Sequence, residues 1–296
     1  MEKNALLIYA REDIEKNKWF TGRLIELAEK QGVKMRLISA EDLTLCSCGP
    51  EGALGCGSED SCRDQALKNV SYIINRSRDH RISEHFEGCG IRSFNNSGTV
   101  RIGNDKFLEY DLFRGLGLPV MDTVCGDTPE EKIPFGPPFI VKHRNGHGGS
   151  AVFKASSYEE TLKIMPRGEK NKWIIQKMCD EPGMDMRLYI LGGKVLAGVL
   201  RRSEDDFRSN FSLGGKAELV IPDPGICKQA LKVSAALGAD YIGIDLIRDG
   251  GGFVFNEIED AVGARMLYEV SDTDAAEEFM RHIYEKTFQN CENGIK

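Results

Sequence analysis

Three features of this 296-residue chain predict an α/β amino-terminal unit followed by strand-rich α+β segments. An apolar strand, an amphipathic helix and a second strand open the chain, from Ala5 to Ala10, Asn17 to Gln31 and Val33 to Ile38. That alternation is the mark of a layered α/β sheet. Beyond residue 172 the pattern turns to strands joined by short glycine turns. Asp185 to Leu191 and Lys194 to Leu200 meet across Gly192-Gly193, and Tyr241 to Ile247 and Phe253 to Glu259 meet across Gly250-Gly251-Gly252. The third feature is a one-sided set of carboxylates on that last pair: Asp245, Glu257 and Glu259.

The totals bound the reading. A chain of 296 residues holds two or three packed units. With 41% hydrophobic and 29% charged residues it reads as a soluble globular protein. A net charge of −7 gives no basic footprint, so no nucleic-acid partner is expected. No apolar run approaches a membrane span, and the segment from Ala5 to Ala10 is too short for a signal core. The expectation is therefore a cytoplasmic protein without a membrane role, whose nine cysteines are reduced thiols. Four of these, Cys46, Cys48, Cys56 and Cys62, sit in a glycine-rich stretch. Their spacing does not match paired C-x2-C zinc knuckles; a reduced loop and a zinc or iron–sulfur site both stay open.

The first unit is expected over residues 1–98. Phe20, Leu24, Leu27 and Ala28 recur at helical spacing, Gly32 ends that helix, and Tyr72-Ile-Ile74 is a further short strand. A small α+β unit is expected over 99–172. It holds a helix from Asp105 to Gly115 stopped by Gly117-Leu-Pro119, a connector from Pro134 to Pro138, strands near Phe139 to Lys142 and Ala151 to Phe153, and a helix opened by a Ser157/Glu160 capping box. Residues 173–296 make the third part: a strand from Trp173 to Met178, the two hairpins, a helix from Pro224 to Leu237 and a last helix near Asp274 to Thr287.

Chemistry concentrates in the second and third parts. Glu257 and Glu259 share a strand face, and a three-residue glycine loop sets Asp245 opposite Glu257. Neither strand carries a Lys or Arg to balance them, so a hard divalent cation shared with phosphate oxygens is expected; a surface acidic patch is the alternative. Lys142 ends an apolar strand and enters a loop containing Gly146, Gly148 and Gly149, which suits either a phosphate flap or a plain hairpin loop with a solvated lysine. It is not a Walker loop, since no Gly-Lys-Ser/Thr follows. His147 in this loop reads as an exposed histidine before a ligand. The stretch from Arg201 to Asn210 gathers Arg201, Arg202 and Arg208, which either grip an anion or pair with Glu204, Asp205 and Asp206. Asp185, Arg187 and Tyr189 share one strand face, where a cross-strand ion pair is the plain explanation.

Taken in order, these pieces resemble the ATP-grasp superfamily, and within it the RimK-like carboxylate–amine ligases. The residues that carry the resemblance are Asn104-Asp-Lys106, Ile140-Val-Lys142 with Gly146 to Gly149, Trp173 to Met178, Asp185-Met-Arg187, Asp206 to Asn210 with Gly214-Gly215, Ile242-Gly-Ile-Asp245 and Asn256-Glu-Ile-Glu259. The resemblance implies an ATP-grasp fold behind an α/β pre-ATP-grasp domain. It implies ATP and Mg2+ as cofactors, with Mn2+ as a substitute. Lys106 and Lys142 would contact phosphates under a flap of Gly146, Gly148 and Gly149, and Gln176, Lys177 and Met178 would run along the adenine. Asp185 would lie at the ribose side with Arg187 nearby, and Arg208, Ser209 and Asn210 would meet the phosphates and metal; Arg187 and Arg208 would be catalytic. Arg202 would grip the activated substrate. Asp245 and Glu257 would hold magnesium together with Glu259, which stands where the family commonly has Asn.

The implied reaction activates a carboxylate as an acyl phosphate and transfers it to an amine, on an amino acid or peptide. A small-molecule kinase on the same fold and an inactive nucleotide-binding regulator are the alternatives. Relatives in this family also make homo-oligomerism an open expectation.

Overall fold

A computed structural model describes residues 3–43, 70–149, 151–203 and 216–289. The cysteine cluster from Cys46 to Cys62, and Arg208, Ser209 and Asn210, lie outside the described residues. The chain divides into two compact units. One comprises Met1–Arg101, Leu237–Tyr241 and Thr273–Lys296; the other comprises Ile102–Ala236 and Ile242–Asp272. No helix among the described residues is long and apolar enough to cross a membrane.

In the first unit, strands β1 (Lys3–Tyr9), β2 (Val33–Ser39), β3 (Val70–Asn75) and β4 (Arg92–Phe94) form a parallel sheet in the order β2-β1-β3-β4. A parallel sheet covered on both faces needs continuous apolar strands, and Ala5, Leu6, Leu7 and Ile8 are all fully buried. The helix Lys18–Lys30 buries Phe20, Leu24, Leu27 and Ala28, the four residues whose spacing predicts it. Its partners in the order, the helix His80–Gly88 and β4, have only short apolar patterns and are not evident in the sequence. Ile82 and Phe86 of that helix pack with Leu6, Ile8, Val70 and Ile73.

One polar side chain ties the segment Leu237–Tyr241 into this unit. The Asn95 Oδ1 accepts the Asp240 and Tyr241 amides, both at 2.9 Å, and its Nδ2 donates to the Tyr241 carbonyl at 2.7 Å. Asp240 is itself buried and accepts from Arg92 at 2.9 Å, with His282 Nε2 at 2.7 Å.

The second unit contains two antiparallel sheets. Strands β5 (Thr123–Cys125), β6 (Phe139–His143), β7 (Val152–Ala155) and β8 (Trp173–Lys177) run in the order β5-β8-β6-β7 over a core of Phe139, Val141, Ala155, Met165, Trp173 and Ile175. The helix Tyr158–Ile164 packs on β6 and β7 and starts as its sequence predicts: Ser157 Oγ accepts the Glu160 amide at 3.2 Å, and the Glu160 carboxylate accepts the Ser156 amide at 2.7 Å. The other sheet has the order β11-β10-β9-β12-β13, from β9 (Met184–Leu191), β10 (Lys194–Arg202), β11 (Lys216–Val220), β12 (Tyr241–Asp249) and β13 (Gly252–Glu259).

The β12–β13 hairpin reaches the expected register by a different route. Its loop is two residues long, Gly250 and Gly251, at φ of +58° and +74°. Two residues in the left-handed region are what a tight turn of this kind requires. Such a loop alone would set Asn256 opposite Asp245. A β-bulge at Asp245/Leu246 inserts Asn256 as the extra residue and brings Glu257 opposite Asp245.

The Asn95 clamp generates a stability prediction. Asn95→Ala leaves two buried amides and a carbonyl unsatisfied and should cost about 2–4 kcal/mol, read as a shift in the urea-unfolding midpoint. A shift worth under about 0.5 kcal/mol would show that the clamp carries no such share.

Candidate active site

The face of the five-stranded sheet formed by β9, β10, β12 and β13 carries a row of alternating charges. Arg201 on β10 makes a two-pronged pair with Asp185 on β9 and reaches Asp245 Oδ2 on β12 at 2.7 Å. Arg187 on β9 holds Asp245 through Nε and Nη2, each at 2.6 Å, and turns Nη1 and Nη2 to the two oxygens of Glu259 on β13, at 2.6 and 2.7 Å. Asp185, Arg187, Arg201 and Asp245 are each no more than 6% exposed. Gly243 makes room for this arrangement: a Cβ there would stand 2.7 Å from Val262 Cγ2 and 3.5 Å from Arg187 Cδ. Burial alone would raise the Asp245 carboxyl, but Arg187 and then Arg201 outweigh it and hold the group well below the ordinary aspartate range.

Glu257 belongs to a second set of charges. Lys106, the first residue of the helix Lys106–Gly115, and Lys142, on β6, bring their ammonium groups to 3.5 and 3.7 Å from Glu257 Oε1. Both lysines are buried. Burial works against the Lys106 ammonium, but Glu257 and Glu109 outweigh it and raise its pKa. Burial likewise opposes a charged Glu257, and Lys106 and Lys142 overcome it to lower that carboxyl. Lys142 also donates to Asn256 Oδ1 at 3.0 Å, the residue released by the bulge. The Tyr110 hydroxyl lies 3.5 Å from Lys142 Nζ and accepts from Gln176 Nε2 at 2.5 Å, linking β8 to the same group.

The glycine loop is fastened at its base. Arg144 makes a bidentate pair with Asp105 at 2.9 and 2.7 Å, and the Lys106 amide donates to the Arg144 carbonyl at 3.0 Å. The Gly146 carbonyl accepts from Lys106 Nζ at 2.7 Å. Gly148 and Gly149 take φ of +63° and +77°, a conformation that favours glycine.

These groups line one cleft of the second unit, open to solvent. Lys106, Lys142, Gly146, Gly148, Gly149, Gln176, Lys177, Met178, Asp185, Arg187, Asp245, Glu257 and Glu259 all border it. Ile140, Val152 and Ile247 add apolar wall, and Asn256 adds an amide; of these, Val152 and Ile247 lie outside the motifs quoted from the sequence.

Arg202 is placed elsewhere. Across a plain Gly192-Gly193 hairpin Arg202 would share a face with Asp185. A bulge between Val195 and Ala197 inverts that parity and sets Arg201 opposite Asp185 instead. Arg202 then borders a separate groove with Met184, Met186 and Phe253. The balancing charge that β12 and β13 lack also has its explanation here. It comes from neighbouring elements, as Arg187, Arg201, Lys106 and Lys142 set against Asp185, Asp245, Glu257 and Glu259.

Among the described residues no three His, Cys, Asp or Glu side chains are grouped to hold a metal by themselves. The donor set does suit a hard cation that shares phosphate oxygens. Glu257 keeps a side chain 26% exposed at the cleft, whereas Glu259 and Asp245 each give both oxygens to Arg187, and Asp245 also accepts from Arg201.

A family model described as a RimK-like ATP-grasp domain matches residues 126–283. The chain is 31% identical over 269 residues to the "Uncharacterized protein MG011 homolog" of Mycoplasma pneumoniae, covering 90% of this chain and 86% of that one. It is 29% identical over 284 residues to a "Probable alpha-L-glutamate ligase" of Haemophilus influenzae, covering 90% and 95%. In fold it is similar to the ATP-complexed D-alanine–D-alanine ligase of Bacillus anthracis, with a TM-score of 0.72 at 15% identity over 99% of this chain and 100% of that one. With the ordered motifs, the cleft and the matched domain in agreement, the chain belongs to the RimK-like ATP-grasp family of ATP-dependent ligases.

Proposed function

We propose that this protein joins a carboxylate to an amine, with Mg2+ and ATP, through an acyl phosphate formed on an amino acid or peptide. One observation carries the reading: two buried lysines from separate elements converge on a cleft carboxylate, Glu257, that faces Asp245 across a hairpin. A relative named as a probable α-L-glutamate ligase supports an amino acid as one of the two substrates.

Bound Mg–ATP supplies the phosphoryl group that makes a carboxylate an acylating agent. The work of the chain is positioning and charge balance. Lys106 and Lys142 donate to phosphate oxygens, and Glu257 with Asp245 accepts the cation, as magnesium or in its place manganese. Arg187 holds Asp245 and Glu259 in place from the neighbouring strand. The backbone from Gln176 to Met178 runs along the base, between apolar walls from Ile140, Val152 and Ile247. Gly146 to Gly149 close over the phosphates and exclude water, which would otherwise hydrolyse the activated acid. Arg208, Ser209 and Asn210 complete the phosphate contacts in this reading. Arg201, in place of Arg202, is the arginine on the face of the carboxylates. The reaction is assigned to the cytoplasm.

The decisive assay is ADP release from Mg–ATP over pairs of carboxylates and amines. A ligase releases ADP in proportion to amide formed and needs both partners. ADP formed at full rate without any amine, with a stable phosphorylated product, would make the protein a kinase, and nucleotide binding without turnover would make it a regulator.

Two variants separate chemistry from folding. Glu257→Gln, at a half-buried position, should lower Mg–ATP turnover by about 100-fold or more at a smaller cost in stability than Asp245→Asn. Asp245→Asn should lose activity and also about 3 kcal/mol or more of stability, because it strips two buried guanidinium groups of their charge partner. Full activity in Glu257→Gln would remove the site assignment.

The charge states predict an acid limb. The pKa of Glu257 is depressed in the folded state, so the stability from its lysine pairs is present above the ordinary glutamate value and is lost as pH falls through the lower folded value. Urea-unfolding curves for wild type and Glu257→Gln should therefore converge only on the acid side of that range. Convergence as pH rises towards neutrality would contradict it.

A further inference from the structure

Glu109 lies one helical turn after Lys106, on the helix that packs against β13, and is only 1% exposed. Its Oε1 accepts the backbone amide of Ile258 at 3.2 Å, the amide between Glu257 and Glu259. β13 is the outer strand of its sheet; on its outer edge the Phe255 amide donates to the Pro119 carbonyl at 2.8 Å, and the Ile258 amide has Glu109 as its acceptor. Glu109 supplies that acceptor from a neighbouring element.

Packing alone does not account for an acid at this position. The second oxygen, Oε2, is buried and has no hydrogen-bond partner. Leaving such an atom unsatisfied costs about 1–3 kcal/mol, a penalty an apolar residue in the same helix–strand contact would not carry. Burial pushes the Glu109 carboxyl well above the ordinary glutamate range; Lys106 opposes the rise without cancelling it, and Glu257 adds to it. Lys106 directs its ammonium group to other acceptors. That ammonium turns to the Gly146 carbonyl at 2.7 Å and to Glu257 at 3.5 Å.

We infer that Glu109 is a positioning residue for Mg–nucleotide binding: by holding the Ile258 amide it fixes the strand bearing Glu257 and Glu259 against the helix bearing Lys106. The inference rests on the reading of the cleft as a Mg–nucleotide site. It assigns Glu109 no contact with the nucleotide. A misplacement of about 1 Å between the groups it registers is enough to cost on the order of 100-fold in function.

The test titrates fluorescent N-methylanthraniloyl-ADP into the full chain, with and without Mg2+, for wild type, Glu109→Gln and Glu109→Met. The amide oxygen of glutamine can replace Oε1; methionine fills the volume and cannot accept the amide. Glu109→Gln should bind the Mg2+ complex within about threefold of wild type, and Glu109→Met about tenfold or more weaker. Binding without Mg2+ should change by less than about threefold in both, and urea-unfolding curves should show both variants folded. Three results would overturn the inference: wild-type Mg2+ dependence in Glu109→Met, equal losses with and without Mg2+, or a Gln variant as impaired as the Met variant. Should the Met variant not fold, amide exchange of Ile258 in wild type decides. Protection equal to the β12–β13 ladder amides is expected, and exchange at the rate of a free edge overturns the inference. A wild type that binds no Mg–ADP at all removes the functional reading itself, which distinguishes that failure from failure of the Glu109 role alone.

Discussion

The guanidinium of Arg187 is the constraint on which the site depends. It lies on the central strand of the sheet, and four hydrogen bonds from its three nitrogens meet Asp245 on one side and Glu259 on the other at 2.6–2.7 Å. Asp245 is buried and could not remain charged there without such a partner. Arginine suits this role because its planar fork stays charged and can serve two carboxylates at once, which a lysine ammonium does less well. The glycine at 243 is part of the same constraint, since a side chain there would collide with Val262 and press on Arg187.

Buried ion pairs of this kind contribute little net stability, because desolvation offsets most of the attraction. Their value is in geometry. Each charge on the row from Arg201 to Glu259 is held by its neighbours, so the strands cannot slip without leaving a buried charge unpaired. Glu257 is the exception: its partners are two lysines at 3.5 and 3.7 Å, longer and looser than the arginine pairs. The rigid row and the looser cluster are therefore suited to different tasks. The first fixes the frame, and the second can exchange one lysine–carboxylate pairing for contacts to phosphate and cation.

Two β-bulges decide which side chains reach the cleft. In β13 the bulge frees Asn256 to meet Lys142 while keeping Glu257 opposite Asp245. In β10 the bulge between Val195 and Ala197 turns Arg201, and not Arg202, towards Asp185. A single inserted residue inverts every face beyond it, so the identity of the site arginine turns on one backbone irregularity several residues away.

The sequence by itself determined the strand and helix types, the glycine turns, the acidic pair at Asp245 and Glu257, and the lysines at Lys106 and Lys142. These are legible because they rest on local periodicity, turn propensity and residue chemistry, which need no knowledge of distant neighbours. Short elements such as the helix His80–Gly88 and β4 were not legible, since their apolar pattern is too brief to stand out. Only the tertiary structure decided what balances the carboxylates, which arginine faces them, and that Tyr110, Asn256 and Glu109 join the same neighbourhood. Those answers depend on strand order, bulge position and the meeting of residues from 16 positions apart, as Arg201 and Asp185, to 149 apart, as Glu109 and Ile258. Such contacts arise from packing across the sheets and from the cost of burying unpaired charge, and neither is written in any local stretch of sequence.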